Sequence, residues 1–349
     1  MNGVRKGYVR PLDLRHGSVD MTHGSGGRAM AQLIEELFAR HLGNRFLGQG
    51  NDGAVMPMPP GRLVMSTDGH VVSPLFFPGG DIGCLSINGT INDVAVLGAT
   101  PLYLAAGFIL EEGLPLADLA RIVESMARAA SAAGVPVVTG DTKVVQRGAG
   151  DGVYITTTGV GVVADGDDFS GDRARPGDQV IVSGSIGEHG MAIMAQRESL
   201  GFTAPIVSDT AALHGLIAAM RASGAAIRTL RDPTRGGVAT TLNEIARQSG
   251  VGMMLQESAL PVQTEVAAAC EFLGLDPLYV ANEGKLLAIV APEDAARLLA
   301  AMRAHPLARR AALIGSVHAD EHHFVQMTTT FGGRRIVDWL TGEQLPRIC

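Results

Sequence analysis

Cysteine is scarce in this chain: only Cys84, Cys270 and Cys349 occur among 349 residues. Their wide spacing matches neither a zinc site nor a disulfide framework, and a reducing cytoplasm is the compartment it suggests. Cys84 and Cys270 sit among helical apolar residues and are expected to be packed thiols. No apolar run reaches the roughly 18 residues that a membrane-spanning helix needs. Residues 1–27 mix Arg, Lys, Asp and Gly without the apolar core of a signal peptide, so none is expected. Basic clusters are missing too, and with a net charge of −7 the chain offers no stripe for nucleic acid.

What is present is a globular composition, 46% hydrophobic and 18% charged, long enough for two domains with separate cores. The 45 glycines form no short repeat and recur beside Asp, Ser and Thr, as in functional turns. Met30, Leu33, Ile34, Leu37 and Phe38 follow helical spacing after the loop His23-Gly24-Ser25-Gly26-Gly27. Strands are predicted over 63–67, 102–110, 135–139 and 154–163. Helices are predicted over 116–133 and on a stripe formed by Ile87, Ile91, Val94 and Leu97. The Asp-, Gly- and Arg-rich segment 165–178, with Pro176, reads as a domain boundary. Beyond it come strands over 179–183 and 286–290 and helices over 189–199, 210–223, 237–248 and 294–303. The expected division is an N-terminal segment 1–45, a domain over 46–165, a second over 175–328 and a tail over 329–349. Both domains mix strands and helices, so the fold class is α/β (α+β).

Several carboxylates stand beside glycine: Asp52-Gly53, Asp68-Gly69 and Gly140-Asp141, with Asp93 in a helical stretch. Any one Asp-Gly pair is ordinary turn chemistry. Four such carboxylates in one domain suit a divalent cation shared with phosphate, because Mg²⁺ prefers hard oxygen ligands. Gly24-Ser25-Gly26-Gly27 opens a helix, where free N–H groups favour an anion, yet no Walker Lys-Ser/Thr follows. Gly159-Val160-Gly161 lacks the helix and third glycine of a dinucleotide fingerprint. Asp232-Pro233-Thr234-Arg235-Gly236-Gly237 supplies a polar loop before a helix, and Asn282-Glu283-Gly284-Lys285 places a carboxylate and an ammonium at a turn. Lys143 is a further cationic candidate on a loop. His189 and the pair His322-His323 carry no assignment, and satisfied or surface histidine is the default for them. The chain stops at Cys349, a thiol with no chain beyond it to cover it, which is either a frayed end or a carrier of a covalent group.

Together these motifs resemble the HypE family of carbamoyl dehydratases, a branch of the aminoimidazole-ribonucleotide-synthetase-like ATP-binding superfamily. The resemblance runs through His23 to Gly27, Asp68-Gly69-His70 to Asp81, Asn92 to Ala99, Gly140 to Val145, Ser183 to Gly190, Asp232 to Gly237 and Asn282 to Lys285. Its most specific piece is Pro346-Arg347-Ile348-Cys349. It implies a first domain that dimerises through its sheet and a second packed beside it. ATP would lie in the cleft, bound by Gly24, Ser25, Gly26, Gly27, Asn92 and Asp232, with Mg²⁺ held by Asp52, Asp68, Asp93 and Asp141. Asn51 before Asp52 departs from the acidic pair of many superfamily members. The implied reaction dehydrates an S-carbamoyl group on Cys349 to S-cyanate for hydrogenase iron. Lys143 would sit at the carbamoyl oxygen or phosphate and Glu283 would take protons. The implied partners are a carbamoyltransferase that loads Cys349 and an iron-carrying scaffold complex that accepts cyanide. Gly332-Gly333 and Pro346 suit a hinged, partly stiff arm, and Trp339 either docks it or packs on the domain surface. The competing readings are a selenophosphate synthetase or small-molecule kinase, although no cysteine precedes Cys84, and a non-catalytic docking adaptor.

Overall fold

Two sheets, each covered by helices, organise the chain in the computed structural model, which describes residues 11–164, 166, 169–198, 205–342, 345 and 347–349. Asp165, Ser199 and Pro346, named above as boundary, helix end and stiffener, lie outside the described residues. The mixed α/β class is as expected.

In the first half, α1 (Arg28–Leu33) and α2 (Ala39–Leu42) flank a π-helical turn at Ile34–Phe38. There follow β1 (Arg62–His70), the short β2 (Phe76–Phe77) and β3 (Gly80–Asp81), and α3 (Ile82–Val96). β4 (Thr100–Glu111), α4 (Leu116–Ala133), β5 (Val137–Val145) and β6 (Val153–Val163) complete the unit. The sheet order is β1-β6-β4-β5, with β4 and β5 parallel and the other pairs antiparallel. α4, the helix predicted over 116–133, buries Leu116, Leu119, Ile122, Val123, Met126 and Ala130 on one face and stops at Gly134 in a left-handed turn. Each large side chain of that stripe contributes about 1.5–3 kcal/mol by leaving water.

α3 is different. Its cap is Asp81, whose carboxylate accepts from the Cys84 N–H at 3.0 Å. Every residue of α3 except Cys84 and Asp93 is buried. The single inner stripe read from sequence is therefore an underestimate, and Leu97, placed on it, is 42% exposed beyond the helix end. The helix is covered all round because it packs on β1 and β6 on one side and reaches the second half of the chain on the other: Ala95 and Val96 join that half's core.

The second half comprises β7 (Gln179–Val182), α5 (Glu188–Arg197), α6 (His214–Ala222), β8 (Ile227–Arg231) and α7 (Gly237–Ser249). β9 (Gly252–Gln256), α8 (Thr264–Leu273), β10 (Leu287–Val290), α9 (Ala295–Ala304), β11 (Ala312–His318), β12 (Val325–Thr328) and β13 (Arg334–Ile336) follow. The order is β13-β12-β9-β11-β7-β10-β8. Val180, Val182, Leu287 and Ile289 pack towards α7, while Ile181, Ala288 and Val290 pack towards α6 and α9. Central strands buried on both faces read as continuous apolar runs, which is why β7 and β10 were legible. The strands β8, β9, β11 and β12 and helix α8 were not foreseen. The expected helix over 210–223 begins only at His214, because 205–213 runs as an extended wall over α3.

Candidate active site

The side chains singled out from sequence fall into two groups. The sheet separates them. Pairing β1 to β6 to β4 to β5 sets Asp68 opposite Thr157, Thr157 opposite Ala106 and Ala106 opposite Gly140. Three strand spacings put β5 about 14 Å from β1. Alternation also divides the faces: Ser66, Asp68 and His70 point to α3, whereas Asp141 and Lys143 lie on the outward face, both more than 60% exposed. Both residues lie within β5, not on the loop or element end expected, since Gly69 and Gly140 are accommodated inside strands.

The outer group surrounds a cavity of about 670 Å³ lined by Met30, Ile34, Phe38, Phe46, Asp52 and Asp141, among others. The Lys143 ammonium donates to Asp141 at 2.6 Å and holds its carboxyl below the usual range, helped by the Thr142 N–H at 2.8 Å. The loop from Gly24 to Gly27 reaches this group through Gly24, where a side-chain carbon would stand 2.8 Å from the Val144 nitrogen; only glycine fits. The cavity joins apolar walls to the carboxylates Asp52 and Asp141, a surface suited to a nucleoside with a cation and phosphates at its mouth.

The inner group lines the cleft between the halves. Asp68 accepts from its neighbour's N–H at 2.8 Å, and its other oxygen lies 3.8 Å from His70 Nε2. Asp93 accepts from the Ser66 hydroxyl at 2.9 Å. Burial, opposed by that bond and reinforced by Asp68, pushes Asp93 up to about 6. Asp232 is pushed up to about 7, by burial first and then by Asp93. Glu283 is 4% exposed and raised well above the carboxylate range, by burial and then by Asp232, Asp209, Asp68 and Asp93. Its Oε1 has no hydrogen-bond partner among the described residues. Gly89 of α3 leaves the room in which His70, Asp68 and Glu283 converge: a side-chain carbon there would lie 3.3 Å from the His70 ring and 3.8 Å from each carboxylate.

The polypeptide around Glu283 is anchored from both sides. Its N–H donates to Asp209 Oδ1 at 3.0 Å, and Lys285 Nζ meets Asp209 Oδ2 at 2.9 Å, so buried Lys285 is an ion-pair partner. Asn92, implied by the resemblance as a nucleotide ligand, is 1% exposed. Its amide donates to the carbonyls of Ala211 at 3.0 Å and Glu283 at 3.2 Å and accepts from the Leu213 N–H at 2.7 Å. It ties α3 to the loop bearing Glu283. Its polar atoms are engaged with backbone.

Cys349 comes into this same cleft. The Val71 N–H donates to its carbonyl at 3.1 Å and Ile348 forms an antiparallel bridge with Val72. Burial pushes the thiol up, Glu283 and Asp68 add to this, and Arg235 opposes them. The half-buried sulfur is therefore held as a protonated thiol among carboxylates. Trp339 is 39% exposed. His70, His189 and Arg235 escaped the sequence reading as site residues. His70 sat in a matched motif, and Arg235 within the Gly-rich loop; the position of His189 beside the tail had no sequence signal.

The four carboxylates implied as one cation site are thus not assembled within a single chain. Asp68 and Asp93, with Asp232, stand at the cleft, and Asp52 and Asp141 stand across the sheet. Among the described residues no three acidic, His or Cys side chains form a ready-made cage. Mutually raised Asp93 and Asp232 are the donor set of a site that a cation would relieve, and Mg²⁺ usually keeps waters and phosphate oxygens alongside one or two carboxylates. The cleft residues fit such an ion.

Comparison with known proteins matches residues 50–163 to the N-terminal domain and 175–328 to the C-terminal domain of AIR synthase related proteins. The chain is 72% identical over 338 residues to the carbamoyl dehydratase HypE of Azotobacter vinelandii, covering 97% of this chain and 99% of that one. A crystal structure of the hydrogenase maturation protein HypE in complex with ATP superposes with a TM-score of 0.91 at 51% identity, covering 94% and 99% of the two chains. A HypE–HypF complex structure gives 0.78 at 48% identity, covering 88% and 99%.

Proposed function

The chain belongs to the AIR synthase related family and to the HypE carbamoyl dehydratases within it, and from that premise we propose that it dehydrates an S-carbamoyl group on its own Cys349. The observation that carries this reading is the pairing that brings Cys349 into the cleft, its carbonyl on the Val71 N–H and Ile348 bridged to Val72, with the thiol within electrostatic reach of Glu283 and Asp68. R–S–C(O)NH₂ and ATP become R–S–C≡N, ADP and phosphate, so the oxygen lost from carbon leaves in the phosphate. ATP, a substrate here, supplies the activation that turns a carbamoyl oxygen into a leaving group.

This chain's residues then have defined tasks. Glu283, desolvated and crowded by other carboxylates, has a high proton affinity and accepts a proton from the carbamoyl nitrogen. Asp209, Lys285 and Asn92 hold its backbone in place. Asp68, Asp93 and Asp232 would hold Mg²⁺ against the phosphates, which supplies charge neutralisation there. In a dimer, Gly24 to Gly27 and Asp52 of the second copy would cradle the nucleotide whose phosphates meet this cleft. The enclosed cleft keeps water from the activated carbon. The protonated resting thiol means that loading needs activation from outside, which suits a carbamoyltransferase partner; that a relative forms a HypE–HypF complex supports a partner of this kind. Cyanide would pass to an iron-carrying scaffold complex.

The placement of Lys143 supports a homodimer as the working unit. Its face of the first sheet exposes Leu63 by 62%, Met65 by 68% and Ile109 by 43%, an apolar surface suited to a second copy. Only such a copy can carry Lys143 and Asp141 to the far cleft without crossing the sheet. Mixing inactive Lys143→Ala and Glu283→Gln proteins should then restore activity in the heterodimers; no recovery would refute the shared site. The reading as a whole is tested by mass spectrometry of the C-terminal peptide after incubation with carbamoyltransferase, carbamoyl phosphate and ATP. The expected product is carbamoylated Cys349 that loses the mass of one water. An unmodified Cys349 in a competent assay would refute it.

A further inference from the structure

The last residues of the chain are held by contacts to their main chain that are independent of what the sulfur carries. The Val71 N–H donates to the Cys349 carbonyl and the Ser73 N–H to the Arg347 carbonyl, each at 3.1 Å. The Ile348 carbonyl, between them, accepts from His189 Nε2 at 2.7 Å. A carbonyl can only accept, so Nε2 bears the hydrogen and Nδ1 accepts from the Ser208 hydroxyl at 2.8 Å. His189 is fully buried, braced edge-on by the Phe77 ring at 5.5 Å, and burial keeps it neutral. Arg197, one helix end away, clamps both strands: Nη2 donates to the Ser73 carbonyl at 2.6 Å and to the Arg347 carbonyl at 3.0 Å. Arg347 adopts a left-handed φ of 54° and reaches Asp151 at 2.9 Å, while the Ile348 side chain is 3% exposed.

We propose that residues 71–73, His189 and Arg197 form a dock for the tail's main chain, in which His189 is the positioning residue that sets the Cys349 sulfur against Glu283. Its occupant is this chain's own C-terminus. Strand addition at an open edge derives its affinity from backbone hydrogen bonds and leaves side chains free to differ. The dock therefore accepts the tail with a thiol, a carbamoyl or a cyano group on the sulfur, as a carrier that returns loaded requires. His189 touches neither the sulfur nor the carbon that reacts; it acts through the Ile348 carbonyl. Ser208, its other partner, adjoins Asp209, which holds the Glu283 N–H, so tail and base are referenced to one short segment.

The purpose of the dock rests on the dehydratase reading above, but its existence is tested without turnover. Alkylation of Cys349 by iodoacetamide, read on the C-terminal peptide, reports how often the tail leaves the cleft. His189→Ala and Arg197→Ala should each speed it about tenfold, the effect of losing an ordered hydrogen bond. His189→Gln, which keeps an N–H for the carbonyl, should stay within about threefold of wild type. In single turnover of preloaded protein, His189→Ala should slow dehydration about tenfold at unchanged half-saturating ATP. Wild-type alkylation rates in both alanine variants would overturn the dock, and equal slowing by the Ala and Gln variants would overturn the positioning role. If His189→Ala fails to fold, alkylation of the Arg197→Ala protein decides alone. A wild-type protein that never dehydrates would sink the dehydratase reading while leaving the alkylation result to judge the dock.

Discussion

Replacing Asp232 by Asn should stabilise the cation-free protein, and increasingly so as pH rises. Asp232 faces Asp93 and Asp68 across the cleft and is held at about 7, against 3.8 for an unperturbed aspartate. Its folded-state pKa is raised, so its contribution is fully present below the unfolded value and is lost as pH rises through the folded one. Taken at face value, ionising it in the fold costs about 4 kcal/mol more than in the unfolded chain. Asp232 retains some exposure and shares protons with Asp93, so the realised cost is about 1–3 kcal/mol. The asparagine variant does not ionise. Urea denaturation at about pH 4 and about pH 8 with a chelator should therefore show the variant gaining about 1–3 kcal/mol on wild type between the two conditions. Millimolar Mg²⁺ at the higher pH should recover most of that loss in wild type and little in the variant. Parallel stability–pH curves for the two proteins would refute the reasoning, because carboxylate repulsion in the cleft would then have no energetic consequence.

Glu283→Gln should still accept the carbamoyl group on Cys349 but lose single-turnover dehydration by at least about a hundredfold, the range of a missing general base; full dehydration would refute the base assignment. Asn92→Ala should lower urea stability by about 2–4 kcal/mol, since three buried backbone groups lose their partner; a change within error would show that the bridge between the halves is dispensable. Leu63→Asp with Met65→Asp should give a monomer in analytical ultracentrifugation without disturbing the circular dichroism spectrum. A dimer persisting in the double variant would move the self-association surface elsewhere.

The parts of the fold legible in sequence were those whose environment is one-sided or wholly apolar. α4 shows its stripe because one face meets water, and β7 and β10 read as apolar runs because both faces are covered. β9, β11 and β12 carry mixed residues whose burial depends on where the sheet places them, so they gave no local signal. α3 was visible as a helix but not as an enclosed one, since its polar Ser86, Asn88, Thr90 and Asn92 suggest a wet face until their partners are known. Glu283 and Cys349 were identified by motif, and the reason they belong together lies in contacts between residues far apart in the chain.

By itself, the sequence determined the residue types of the chemistry: hard carboxylates beside glycine, a base, a lysine and a single thiol at the end of the chain. It also determined the local stretches that carry them, because glycine spacing and apolar period act over a few residues. Only the tertiary structure decided how those groups are divided. Strand order and side-chain alternation send Asp68 to the face covered by α3, where Asp93 meets it, and Asp141 and Lys143 to the other, though all four belong to one half of the chain. Likewise, His189 became a holder of the tail through a bond spanning 159 positions. Pairing of that range is set by how sheets and helices pack, and local sequence does not encode it.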